Sequence, residues 1–178
     1  ESPRVTVVGR RRLKDDPGYL LPFTVQDLRV IKAIAGAVQL TAVEVDTRLG
    51  RVSVTESWLG LGVGRIMVPP LARSQAQGAV IQGISYALYE ERRLDPTTGG
   101  LLTAGLEDYR IIGIGDTPPI HVHFEEGGYE GVVGGGVGLS ELATVPCAAS
   151  VANAIHHATG WRPRTLPIRP DRVLGGLS

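Results

Sequence analysis

From Val38 onward the chain alternates apolar and polar positions through two successive runs, and past a pair of prolines the period lengthens to three or four. The first two runs, Val38 to Val45 and Arg51 to Leu61, are rich in β-branched residues and are joined by Asp-Thr-Arg-Leu-Gly, which predicts a hairpin. In "LARSQAQGAVIQGISYALYEE" the apolar positions Leu71, Ala79, Ile84 and Leu88 predict a helix entered through Pro69 and Pro70. Gly78 and Gly83 lie inside it, where each costs about 1 kcal/mol against Ala, so a close approach by another backbone or a ligand is the physical reason to keep them.

Shorter signals flank these elements. "PRVTVVGRR" predicts a strand, followed by a basic run from Arg10 to Lys14 and a turn at "DDPG"; "RRLDPTTGGLL" predicts a strand and a turn, and "PIHVHFEE" another short strand. A second helix is expected from about Thr144 to Thr159, stopped by Gly160, and the tail "RTLPIRPDRVLGGL" as a short strand and one helical turn. This order predicts an α+β fold of two layers, a mixed β-sheet with helices packed on one face. Residues 1–178 are expected to form a single domain, with residues 1–36 pairing with nothing obvious.

Composition narrows the function. Lys plus Arg and Asp plus Glu both total 18, so no overall field draws in nucleic acid or an anionic membrane. Cys147 stands alone, which excludes an internal disulfide and a cysteine-only metal or cluster site. No apolar run is long enough to span a bilayer and no secretory leader is visible, which fits the cytoplasm, with export alongside a partner left open. A first residue of Glu rather than Met suggests a piece of something longer.

Three clusters could carry chemistry. The glycine tract before "LSELATVPCAASVANAI" could cradle a phosphate on successive backbone amides, yet it lacks the lysine of a Walker loop and has Leu139 where the dinucleotide fingerprint needs a third glycine. Glu141 follows Ser140, a residue able to cap a helix, and an acid there stays ionised near the helix amides; Pro146 moves the regular helix start toward Val145. From position alone, a surface loop and an ordinary helix-start acid explain both. His121 and His123, two apart on a strand, share a face, while His156 and His157 diverge by about 100° on a helix; no Asp, Glu or Cys completes a ligand set for a metal.

Taken together, "AVEVDTRLGRVSV", "LARSQAQGAVIQGISYALYEE", "LDPTTGGLL", "LEDYRI" and "GVGLSELATVPCAASVANAIHHATGWRPRTLPIRPDRVL" resemble, in order and spacing, the C-terminal part of the molybdenum-binding subunit of the xanthine dehydrogenase and aldehyde oxidase family. The resemblance implies a molybdopterin-dependent oxidoreductase that oxidises an aldehyde or N-heterocycle with water as oxygen source. It implies molybdopterin with molybdenum held between lobes, and 2Fe-2S and FAD on partner domains or subunits. The family's "G-hydrophobic-small-E" element falls on "GLSE", making Glu141 the general base, with Gly134, Gly135, Gly136, Val137, Gly138, Leu139 and Ser140 as cofactor contacts. The family's "Q-x-x-G-x-x-x-Q-G" helix falls on Gln75, Gly78, Gln82 and Gly83, implying that Gln75 and Gly78 also contact the cofactor.

The chain departs from the family pattern at Gly62, Val68 and Val137. Implied partners are the remaining lobe of the subunit, the 2Fe-2S and FAD subunits and a small aldehyde or purine-like substrate, in an oligomer. Without the other lobe, this fragment by itself is expected to be inactive. A non-catalytic assembly domain and a phosphate or nucleotide module are the competing readings.

Overall fold

The structure, a computed structural model, describes residues 35–178. The strand expected in "PRVTVVGRR" and the basic run from Arg10 to Lys14 lie outside those residues. The predicted hairpin is present as β1 (Gly36–Asp46) and β2 (Arg51–Gly62), antiparallel from Gly36 opposite Gly62 to Asp46 opposite Arg51. Its turn is closed by Asp46, whose Oδ1 accepts the N–H groups of Arg48 at 2.9 Å and Leu49 at 3.0 Å. Gly50 ends the turn at φ +68, and a Cβ there would stand 2.3 Å from the Pro170 carbonyl oxygen.

From β2 the chain crosses through helix α1 (Pro69–Leu88) to β3 (Ile120–Glu125), which pairs parallel with β2 from Ser57 opposite Ile120 to Gly62 opposite Glu125. The sheet is therefore mixed, in the order β1-β2-β3. The outer edge of β3 is covered by α1, whose Arg73 and Gln77 donate to the carbonyls of Val122 at 3.2 Å and Ile120 at 3.4 Å.

Helix α2 (Cys147–Thr159) packs on β1 and against α1. One core fills the space between the layers, built from Val52, Val54, Leu59 and Leu61 of β2, Val80 and Ile84 of α1, and Cys147, Val151 and Ile155 of α2. Small residues on α1 let the two helices meet closely: a Cβ at Gly83 would stand 2.3 Å from that of Cys147. Gly78 is the other case, since nothing lies within 4 Å of the position its Cβ would take.

The structure corrects several expectations. Leu71 is 68% exposed, because it lies on the side of α1 that faces a hollow and not on the side that faces the sheet. The strand in "RRLDPTTGGLL" is reduced to a bridge between Leu94 and Leu101 around a turn in which Asp95 Oδ1 accepts the N–H groups of Thr97 and Thr98. No strand forms in the tail; Ile168 donates its N–H to the Ala87 carbonyl at 2.7 Å, and the expected helical turn is an eight-residue helix, α3 (Pro170–Leu177). Finally, α2 begins at Cys147 and not at Thr144, since Pro146 has no N–H for a preceding carbonyl. Its end is as predicted, with Gly160 at φ 77 donating to the His156 carbonyl at 2.8 Å.

The N-cap of α1 is Val68, whose side chain accepts no hydrogen bond from the first-turn amides. Asn can supply that acceptor to the Leu71 N–H. Val68→Asn is therefore expected to stabilise the protein by about 1 kcal/mol, raising the thermal midpoint by about 3 °C, as followed by circular dichroism. An unchanged midpoint would show that water already satisfies this helix start.

Candidate functional site

A cavity of about 470 Å³ opens between α1 and the 3-10 turn Ser140–Ala143. On the α1 side it is lined by Leu71, Gln75, Gly78 and Gln82, which recur at spacings of four, three and four and form one stripe along the helix. Ala76, Val80 and Ile84 lie on another side of the same helix, in the core. The helix thus has a buried face and a face given to the hollow, which is why both glycines occur in it: Gly83 serves the first and Gly78 the second.

Glu141 and Thr144 line the opposite wall. The Thr144 N–H donates to the Glu141 carbonyl at 2.9 Å, and in a 3-10 turn residues three apart stack over one another, so both reach the same side. Glu141 is exposed to the cavity and is not sealed in the core. It does not sit in the first turn of α2, which begins at Cys147. The wall chemistry is a carboxylate, two carboxamides and the hydroxyls of Ser74 and Thr144. Gln82 donates from Nε2 to the Tyr86 hydroxyl at 2.6 Å.

Of the residues singled out in the sequence, the structure brings Gln75, Gly78 and Glu141 together. It places the glycine tract elsewhere. Gly134 and Gly135 take φ of 83 and 75, and the segment then pairs antiparallel with Gly64: Arg65 donates to the Gly135 carbonyl at 2.9 Å and Val137 donates to that of Val63 at 2.8 Å. A Cβ on Gly136 would approach the Arg65 carbonyl oxygen to 2.8 Å, so this glycine is required by docking. Leu139 packs against the core edge, and the Ser140 backbone opens the 3-10 turn. The tract leads the chain to Glu141 without lining the cavity. Among the described residues the N–H groups of Gly136 and Gly138 have no protein acceptor.

The histidines stand apart. His121 Nε2 is 2.7 Å from Glu56 Oε1, and its ring stacks on Trp58 with centroids 5.8 Å apart. His156 is half-buried near the end of α2. Among the described residues no group of three or more His, Cys, Asp or Glu is placed to hold a metal ion.

Behind the 3-10 turn lies a polar network that the sequence did not reveal. Gln39, only 9% exposed, donates from Nε2 to Ser57 Oγ at 3.0 Å and to Cys147 Sγ at 3.2 Å, and the thiol donates to the Val80 carbonyl at 3.4 Å. A polar residue at an inward strand position was the one available signal, together with the stripe that includes Gln75 and Gln82. Burial pushes the Cys147 thiol up to about 11, partly offset by the Gln39 donor. The folded state then holds its proton more tightly than the unfolded chain does, so the contribution is complete below the ordinary thiol range near 9 and is lost as pH rises toward about 11. Denaturant unfolding between those pH values should show stability falling with pH, and Cys147→Ala should flatten that slope. An identical slope in the variant would assign the loss to other groups.

Comparison with known proteins agrees with this architecture. The model of the molybdopterin cofactor-binding domain family matches residues 23–118, a span that includes α1 and ends before Glu141. A nicotinate dehydrogenase subunit from Pseudomonas putida is 37% identical over 143 residues, which is 80% of this chain and 12% of that protein. The xanthine dehydrogenase molybdenum-binding subunit of Escherichia coli O157:H7 is 33% identical over 129 residues, 72% of this chain and 17% of its own length. Among solved structures, quinoline 2-oxidoreductase from Pseudomonas putida 86 superposes with a TM-score of 0.70 at 29% identity, over 76% of this chain and 17% of that one. The aldehyde oxidoreductase of Desulfovibrio desulfuricans gives 0.72 at 26% identity, over 80% and 15%. The chain thus spans less than a fifth of these relatives. A family model that covers more than half of its residues, and relatives this similar along most of its length, show that the chain belongs to the molybdenum-binding subunit family of the xanthine dehydrogenases and aldehyde oxidoreductases.

Proposed function

We propose that residues 1–178 are a single domain, the C-terminal cofactor-binding lobe of a larger molybdenum subunit that oxidises an aldehyde or N-heterocycle with water as the oxygen source. The observation that carries this reading is the meeting of Gln75, Gly78 and Glu141, from segments far apart in sequence, on one hollow in a chain of this family. The residues fit the group. Gly78 leaves bare backbone where a side chain would project into open space, Gln75 offers a carboxamide donor, and Glu141 offers a carboxylate on the facing wall. When bound, the molybdopterin group supplies the two-electron chemistry.

This chain's own part is proton handling and orientation. A Glu141 carboxylate oxygen accepts the proton released as the oxygen nucleophile forms, and exposure to the hollow keeps it within reach of that proton. Gln75 fixes the orientation of the group facing it, and Leu71 lends the mouth an apolar wall that a second lobe can close against water. The reading includes the remaining lobe, 2Fe-2S and FAD partners, an oligomeric enzyme and a cytoplasmic location. Among the described residues no helix is long and apolar enough to cross a membrane.

One observation favours a second reading, a non-catalytic assembly domain. At the two positions where the chain departs from the family pattern near α1, Val68 leaves the helix uncapped and the Gly62 carbonyl is taken up by the Tyr129 hydroxyl. Molybdenum and pterin content of the complete purified subunit separates the two. Near-stoichiometric metal supports the catalytic lobe, and a folded full-length subunit free of metal and pterin overturns it in favour of assembly. The nucleotide-module reading is weakened because Gly135 and Val137 spend their backbone groups on the chain itself.

A further inference from the structure

The helix-free face of the sheet carries an apolar surface with no role in the hollow. Strand register sets Leu40, Trp58 and His121 in one row and Val38, Gly60 and His123 in the next. Val38 is 57% exposed, Leu40 54% and Trp58 38%. No Lys or Arg stands in either row, while Glu56 and Glu125 lie at the border. An aromatic and aliphatic centre depleted of fixed charge, inside a polar rim, is the composition of an interface core. At Gly60 the surface dips beside Val38, whose Cγ1 a Cβ would meet at 3.1 Å.

Most of the polypeptide that could cover this face lies outside the described residues, since the matched relatives are six to eight times longer than the matched stretch (12% and 17% of their lengths). A second copy is a poorer occupant: stacking the face on itself would desolvate the Glu56–His121 pair of both copies without giving either a new partner. We propose that the face is an interface within the subunit, covered by a segment of the same polypeptide outside residues 1–178 that is apolar over Val38, Leu40 and Trp58 and presents an acceptor or acid to His123. It rests on the reading of this chain as part of a larger subunit.

The test is acylation of histidines by diethylpyrocarbonate in the complete subunit, native and denatured, with each site read by peptide mass spectrometry. On a bare face the exposed His123 would react nearly as fast as in the unfolded chain, whereas His121 is already held by Glu56 and Trp58 and serves as an internal reference. Coverage predicts that His123 reacts at least about tenfold more slowly in the native subunit than in the unfolded chain, independent of protein concentration, because an interface core excludes water. Leu40→Asp, which puts a charge in the centre, should return His123 toward the unfolded rate while the circular dichroism is unchanged. Fast labelling in a native subunit longer than this chain overturns the interface alone, and protection lost on dilution overturns it in favour of a second copy. A native polypeptide no longer than 178 residues overturns the parent reading as well.

Discussion

If Glu141 is the base as proposed, Glu141→Gln in the complete subunit is expected to lower turnover by about a thousandfold while molybdenum and pterin content stay at the parental level. Gln has nearly the same shape and leaves the 3-10 turn and the cavity wall in place, but its amide cannot take up a proton in the working pH range. The loss should therefore fall on kcat and kcat/KM together, as expected of an interaction made only in the transition state. Retained turnover would end the assignment of Glu141 as base. Loss of metal along with activity would instead make the carboxylate a group that holds the cofactor.

How far the sequence could be read depended on whether the cause of each feature was local. The hairpin was legible because two strands of period two flank a turn whose Asp46 and Gly50 act within a few residues. Helix α1 was legible because Pro69 and Pro70 mark its first turn. The place of β3 was not, since its parallel partner is reached only through the α1 crossover. The tail strand failed for a similar reason: Ile168 spends its N–H on Ala87, a residue at the far end of α1. In the candidate site, Glu141 stood out by its place between the glycine tract and a helix and Gln75 through the family resemblance, whereas Thr144 follows from the 3-10 turn that only the structure shows. The glycine tract looks in sequence like an anion cradle, and the strand segment it docks on, Val63 to Arg65, could not be read from the tract itself.

Gly83→Ala joins the packing of the core to the position of Glu141, and it is expected to cost about 2 kcal/mol net, lowering the thermal midpoint of a subunit of the relatives' length by about 1 °C. Ala is the better helix former by about 1 kcal/mol, so helix propensity alone would raise stability. Sterics oppose it more strongly: the new Cβ would lie 2.3 Å from Cys147 Cβ, 2.7 Å from its Sγ and 3.4 Å from the Thr144 carbonyl oxygen. A Cβ cannot swing aside as the end of a long side chain can, so α1 and the start of α2 must separate. The displacement is passed on, because Cys147 N–H bonds to the Thr144 carbonyl at 3.2 Å and Thr144 N–H to the Glu141 carbonyl at 2.9 Å. Widening this contact therefore moves Glu141 away from Gln75, and turnover should fall even where the subunit stays folded. Cys147→Ala should not rescue the variant, since it keeps the clashing Cβ, whereas Cys147→Gly should recover stability and activity together. Gly83→Ala as stable as the parent would mean that the two helices are not in contact at this point, and the mechanical link from core to carboxylate would fail with it.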